Sequence, residues 1–552
     1  MAREARTVGS RYRYDPGALR AVFERQFTFA EGFRRNVDRY ASRLALADPD
    51  TGRRWTYREL GTDVDDLAAG LAGRGVEAGD VVTFQLYNGS EFALLYLASQ
   101  RIGAVASPVN FRFSPGETAH VLDDSRSAVF VHDAAVDARA VLALATWQPP
   151  LVVEVPPAGS PAVAGLPFAD LFVRGGPPLR GRGGTAWDEA TRLYTSGTTG
   201  MPKGVPIPGL AEVLTAHDVI MHFPLGPEDR TLNMTPWFHR GGISPGGPNA
   251  VFYVGASAVT MRQFDPDRCL DLVEQEGLTY LIGAPTNLAM LADAQEARRR
   301  DLGTLRGIVT MGAPLERGAC LRYQEVLTPR IFNGYGTTEA FWNTFLRPAD
   351  LPEHAGSAGR ACTDDDVAVV RTYPDRLAEP ADTVARDGSD TGEVIVRSSK
   401  SGYAYVNVPD ASDRFRLGWL YTGDLATWDH EGYVTIVGRK DDMIITGGEN
   451  VHPVQVEEVL NEHPGVRDCI VVGMPDDRWG EVVVAFVVPA DPGLSAADCD
   501  AHCLAHPMLS DFKRPRAYRF VGDLPRTATG KKMHYRMREE LGRRGPEGLV
   551  RP

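Results

Sequence analysis

From about residue 26 onward, segments whose apolar residues recur at helical spacing alternate with short, almost wholly apolar runs: VVTFQL at 81–86, AVFVHD at 128–133, LVVEV at 151–155 and AVTMRQF at 258–264. Runs of this length, separated by helices, predict strands buried on both faces of largely parallel sheets. The fold class expected is therefore α/β, with helices covering the sheet faces. The stretch 156–186 is rich in Pro and Gly and predicts a surface excursion. A different texture begins near 430. WDHEGYVTIVGRK alternates like a hairpin, and after a Gly-Gly turn come the helix-like VQVEEVLNEH and the strand-like DCIVVGM and VVVAFVV. This pattern predicts a large N-terminal domain of layered sheets and helices, residues 1–438, and a small α+β C-terminal domain, residues 439–552, with a hinge at Gly438 to Asp442.

The chain has 552 residues, more than one hydrophobic core usually organises. Its net charge is −13, with acidic residues spread along the chain. Such a surface repels phosphate backbones and anionic lipid, which argues against nucleic-acid or membrane partners. Six irregularly placed cysteines predict a reduced protein. No apolar stretch follows the charged N-terminus, and FALLYLA at 92–98 is too short to span a bilayer, so a cytoplasmic location is expected.

The strongest chemical signal is Leu193-Tyr-Thr-Ser-Gly-Thr-Thr-Gly-Met-Pro-Lys-Gly204, just after an expected strand. Its glycines let backbone approach a phosphate, and its hydroxyls and N–H groups donate to phosphate oxygens. The spacing differs from that of the P-loop. The segment resembles the phosphate-binding signature of the adenylate-forming superfamily: acyl-CoA ligases, peptide-synthetase adenylation domains and luciferases. Similar motifs follow in that family's order over roughly residues 30–540.

The resemblance implies ATP binding by Thr195, Ser196, Gly197, Thr198, Thr199, Gly200 and Lys203. It extends to Met311-Gly-Ala-Pro314, with Gly312, Ala313 and Pro314, and to Asn333-Gly-Tyr-Gly-Thr-Thr-Glu339, with Asn333, Gly334, Tyr335, Gly336 and Thr337. It implies that Tyr335 stacks on adenine, Thr338 binds the phosphate of the adenylate, and Glu339 holds Mg²⁺ together with Thr198. By the same resemblance Asp424 accepts both ribose hydroxyls, Arg439 meets phosphate, Asp441 is the pivot, and Lys531 in Leu524-Pro-Arg-Thr-Ala-Thr-Gly-Lys531 is the catalytic lysine of adenylation. The neighbouring Lys532 is expected to be solvated.

For the second step, the segments around Trp479 and Asp511-Phe-Lys-Arg-Pro515 resemble those with which aryl-CoA ligases grip the CoA nucleotide. This implies roles for Trp479, Phe512 and Arg514, with packing for Trp479 and a plain surface charge for Arg514 as the alternatives. Thr446-Gly-Gly-Glu-Asn-Val-His-Pro453 resembles the loop, including Gly448, that passes pantetheine; His452 stands where relatives carry an aromatic. In Thr235-Pro-Trp-Phe-His-Arg-Gly-Gly242, His239 matches the residue that closes the acyl pocket. Arg240 either meets an anionic group of the substrate or braces the loop. Ala340-Phe-Trp-Asn-Thr-Phe345, with Phe341 in the pocket, is closest to chlorobenzoate-type aryl-CoA ligases. Cys499, His502, Cys503 and His506 are metal-ligand types at helical spacing, but two turns of one helix cannot surround a tetrahedral ion.

The expected function is ATP-dependent adenylation of a small, aromatic acid, with transfer of the acyl group to CoA. ATP, Mg²⁺ and CoA are the expected cofactors and co-substrates, and a homodimer is compatible with the sequence. Three alternatives stay open: a diazotase activating nitrite for an aryl amine, a stand-alone enzyme loading a carrier protein, and a nucleotide-binding pseudoenzyme.

Overall fold

The computed structural model describes residues 15–552 apart from 177, 178, 180–182, 196–200, 374, 375, 412, 447, 448, 477, 478, 507, 508, 510, 527–529 and 531, and apart from the side chains of 441, 445, 449 and 450. Among the described residues the apolar runs become central strands: Val81–Gln85, Val129–Asp133 and Leu151–Val155 lie side by side and parallel in a seven-stranded sheet. The run at 258–264 yields only the short strand Ser257–Val259. Within 156–186 the chain forms the two-residue strand Leu166–Pro167 and the 3-10 turn Phe168–Leu171.

A second, nine-stranded sheet runs in the order 360–361, 341–346, 331–337, 307–311, 280–283, 230–233, 257–259, 44–48, 53–56, parallel through its centre and antiparallel at both edges. Helices Tyr57–Gly73, Ser90–Arg101, Gly209–His222 and Pro248–Val254 fill the space between the two sheets, in one core that includes Leu67, Leu95, Val219 and Phe252. The far face of the nine-stranded sheet is covered by Pro266–Glu276, Pro285–Ala297 and Arg317–Val326 around Leu270, Leu291 and Cys320. Fully apolar faces on both sides explain why the central strands read as unbroken apolar runs.

The hairpin expected near 430 is present: Trp419–Trp428 pairs with Val434–Arg439 inside a five-stranded antiparallel sheet. After the 3-10 turn Lys440–Asp442 a separate sheet begins at Ile444 and is built on the long pair Val466–Asp476 and Gly480–Pro489, with Pro453–Asn461 packed on one face and His534–Arg544 on the other. Large and small domains thus have their own cores. Cys499 and Cys503 belong to the small domain's core. His502 Nε2 is bonded to the Val459 carbonyl at 2.8 Å and His506 Nε2 to Glu462 at 3.0 Å. No described helix is long and apolar enough to cross a membrane.

Candidate active site

In parallel sheets the carboxyl ends of the strands form the natural ligand crevice. Strand Glu189–Thr195 runs out into the glycine- and hydroxyl-rich loop, whose Ser196, Gly197, Thr198, Thr199 and Gly200 lie outside the described residues. Thr195 pairs across the sheet with Lys203. Gly307–Met311 delivers Gly312, Ala313 and Pro314, and Gly312 adopts a φ of 88° with open space where a Cβ would stand. Ile331–Thr337 carries Asn333 to Thr337 and leads into Thr338 and Glu339. Glycine at 336 is obligatory: a Cβ there would fall 1.7 Å from the Phe341 carbonyl oxygen. Asn333 is buried and donates to the Ser357 carbonyl at 3.2 Å, fixing the strand's exit, and Gly334 leaves room for the Trp342 ring.

The Tyr335 hydroxyl donates to Asp424 Oδ2 at 2.8 Å, and Arg439 Nη1 donates to Asp424 Oδ1 at 2.7 Å. Three residues that are far apart in sequence therefore converge. Burial beside Asp424 pushes the Tyr335 hydroxyl well above its ordinary pKa, so it stays a donor. Glu339 accepts from the Tyr405 hydroxyl at 2.6 Å, and the Lys203 ammonium lies 5.5 Å from the Tyr405 ring centre. Tyr405 had no place in the motif reading. It lies in the long loop between strands Gly392–Ser398 and Phe415–Arg416, and only the fold carries it to Glu339. Glu339 is half-buried and the Tyr405 hydroxyl engages only its Oε1, so the carboxylate is a fitting hard oxygen ligand for a divalent cation such as Mg²⁺.

His239 caps the short helix Arg240–Ile243 at its N-terminus. It is half-buried, its ring lies 4.3 Å from that of Phe238, and its Nε2 is shut off from solvent without a hydrogen-bond partner. Burial depresses its pKa to about 4, so the imidazole is neutral at physiological pH and suits a pocket wall. Arg240 is buried. It donates to the Thr338 carbonyl at 2.7 Å, the Lys400 carbonyl at 2.7 Å and the Thr215 hydroxyl at 3.2 Å, and lies 5.8 Å from the Phe341 ring centre. Burial lowers its pKa to about 10, opposed by the charges of Glu212 and Glu339. The guanidinium thus pins the segment that carries Glu339. Phe341 itself has a φ of 61°, an unfavourable region for a bulky side chain, and its ring packs 4.4 Å from Trp342.

On the small domain, Trp479 and Phe512 expose about half and a third of their surface, 48% and 36%. Arg514 is ion-paired to Asp511 at 2.6 Å and to Asp500, so its charge is shared between two aspartates. His452 is buried against Gly438, with a pKa lowered to about 4 by burial and by Lys513. Gly448, Lys531 and the Asp441 side chain lie outside the described residues. Their neighbours are informative, because Gly530 sits against Thr286 of the large domain, and Asn461 Nδ2 reaches Glu316 Oε1 at 3.4 Å.

The expectation for Lys532 is wrong. Its ammonium pairs with Glu457 at 3.0 Å and Asp468 at 3.2 Å, and its side chain is 18% exposed. His534 reaches the other Glu457 oxygen at 2.7 Å. Glu457, held by these two cations and by the Val471 N–H, has a pKa lowered to about 2 despite its burial.

The chain is similar to the feruloyl-CoA synthase of an Amycolatopsis species, 34% identical over 493 residues that cover 89% of this chain and 95% of that protein. It is 31% identical over 520 residues to the 4-chlorobenzoate–CoA ligase of an Arthrobacter species, covering 92% and 94%. Among solved structures it resembles ATP-bound MatB from Rhodopseudomonas palustris, with a TM-score of 0.81, 28% identity and coverage of 93% and 99%. Residues 33–405 match the AMP-binding enzyme family and residues 455–531 its C-terminal domain. With these matches along both domains, the chain belongs to the AMP-binding, adenylate-forming family of enzymes.

Proposed function

We propose that this enzyme is an AMP-forming acid–CoA ligase whose acid is small and aromatic. Acid adenylation by ATP followed by transfer to CoA is the chemistry of the acid–CoA ligases to which it is related. The observation that carries the reading is that Tyr335 and Arg439 meet at Asp424, while Arg240, next to His239, holds the carbonyl of Thr338, the residue before Glu339. In this reading Asp424 offers acceptor oxygens to a ribose, Tyr335 a ring face to adenine, Thr338 a hydroxyl to the phosphate, and Glu339 a carboxylate to Mg²⁺. A neutral His239 and the rings of Phe238, Phe341 and Trp342 wall a site for a flat acid.

In the first half-reaction a carboxylate oxygen attacks the α-phosphorus and pyrophosphate leaves. Lys531 stabilises the charge that develops. In the second, the CoA thiolate attacks the acyl carbonyl and AMP leaves. Rotation of residues 439–552 about Asp441 exchanges the lysine loop for the Gly447-Gly448 face. Exposed Trp479 and Phe512 supply stacking surface for the CoA adenine. Arg514 would meet its phosphates only by exchanging Asp500 or Asp511 for them.

The test is AMP release over a panel of benzoates, aliphatic acids and nitrite, with and without CoA. The reading expects CoA-dependent turnover of a benzoate. Turnover with nitrite and an aryl amine, or with aliphatic acids alone, would overturn it.

A further inference from the structure

The helix Gly209–His222 is buried between the two sheets, yet Glu212, Thr215, Asp218 and His222 recur along it at intervals of three and four, on one face. Asp218 faces Lys400, whose side chain is 2% exposed. The ammonium donates to Asp218 Oδ2 at 2.9 Å and to Asp365 Oδ2 at 2.7 Å. The Trp342 indole N–H also donates to Asp218 Oδ2. Lys400 Nζ lies 5.9 Å from the Phe341 ring centre, and the Lys400 carbonyl accepts from Arg240. An ion triad therefore stands behind the ring read as a wall of the proposed acid site, and the backbone of its lysine is tied to the arginine that pins the Glu339 segment.

Asp218, His222 and Cys362 offer ligand atoms within 4.8 Å of one another, but they do not make a metal site. Lys400 and Trp342 already occupy Asp218 Oδ2. His222 engages Arg347 through Nδ1 at 2.8 Å and Asp218 Oδ1 through Nε2 at 3.2 Å. A further cation would face the lysine ammonium.

Stability does not explain the triad either. Taking charges out of water often costs as much as their mutual attraction returns, and well-packed apolar residues of similar volume are often equally stable in their place. What a paired ionic wall does, and an apolar one does not, is refuse an alkyl tail. A chain pushed between the charges would separate them without offering any partner.

We infer that Lys400, with Asp218 and Asp365, is the specificity-determining end wall of the acid pocket and limits the enzyme to acids that stop at the Phe341 ring. The inference rests on the reading of Phe341 as a pocket wall. It does not depend on CoA being the second substrate or on the acid being aromatic.

Two measurements test it, both on pyrophosphate release without CoA, so that failure of the CoA step leaves them intact. With the native enzyme, kcat/KM is measured for benzoate and its para-methyl, para-propyl and para-pentyl derivatives, and for a straight-chain series from propanoate to decanoate. In whichever series is used, kcat/KM is expected to fall by about tenfold or more per step beyond the limit. Equal turnover of the longest and shortest members overturns the inference even if no variant folds. The second measurement uses the charge-neutral variant Asp218→Asn/Asp365→Asn/Lys400→Met, which leaves no carboxylate stranded. Its ratio of longer to shorter acids is expected to rise by about tenfold or more, with the KM for ATP little changed. A folded variant with the native length profile assigns the triad a purely structural role and overturns the inference.

Discussion

Replacing Lys532 by methionine keeps the length of the side chain and removes its charge. The native ammonium serves two carboxylates, Glu457 at 3.0 Å and Asp468 at 3.2 Å, and Glu457 is 4% exposed at its side chain. A solvated lysine with a surface partner would contribute about 0–1 kcal/mol. Stranding one partner of a buried pair costs about 3–5 kcal/mol. The low end applies, because His534 and the Val471 N–H still serve Glu457, and Arg526 still serves Asp468. A loss of about 3 kcal/mol corresponds to an increase of roughly a hundredfold in the opening equilibrium. Amide hydrogen exchange in Pro453–Asn461 and Val466–Asp476 reads this directly. In the methionine variant those amides are expected to exchange about a hundredfold faster, while the parallel strands of the large domain are unchanged. Acceleration of less than about threefold would show that Lys532 behaves as a surface charge, and the account of the small domain's ion network would fail.

Three further outcomes are expected. His239, with its pKa depressed from 6.5 to about 4, favours the fold only while neutral, so its contribution is complete above pH 6.5 and is lost as pH falls toward 4. Its imidazole should stay neutral by NMR at pH 5.5, and the pH slope of urea stability between 6.5 and 5 should flatten in His239→Asn. Glu458 has the opposite sign: burial and the charges of Glu316 and Glu457 raise its pKa to about 7, so stability falls as pH climbs from 4.5 through 7. Glu458→Gln should therefore stabilise the protein by on the order of 1 kcal/mol at pH 8 and by almost nothing at pH 4, read from denaturant midpoints. Lys531→Ala should cut acid-dependent pyrophosphate release by about a hundredfold or more while leaving CoA transfer from supplied acyl-AMP largely intact; equal loss in both halves would contradict the assignment.

The central strands were legible because burial on both faces makes them apolar throughout, and the glycine-rich loops because phosphate binding requires small and hydroxylated residues in sequence. The run at 258–264 shows the limit of that signal. Only its first two residues, Ala258 and Val259, enter the sheet, and three positions further on Arg262 is already ion-paired to Asp133 at 2.8 Å. Residues that work through distant partners were not legible. Lys532 next to Lys531 near a chain end reads as solvent-facing, and only tertiary contact with Glu457, 75 positions away, reveals it. Tyr405 and Lys400 sit in a loop with no motif of its own. The polar spacing at 212, 215, 218 and 222 on an otherwise apolar helix was a visible sign that a buried ionic partner was needed, although the sequence could not say which.

Acid adenylation joins a carboxylate oxygen of the acid to the α-phosphorus of ATP. The most direct measurement supplies the accepted acid with both carboxylate oxygens as ¹⁸O and follows the label by mass spectrometry after turnover with CoA. One labelled oxygen is expected in each AMP formed, with an unlabelled pyrophosphate and the remaining label in the thioester. Unlabelled AMP, or release of ADP with label in inorganic phosphate, would contradict it.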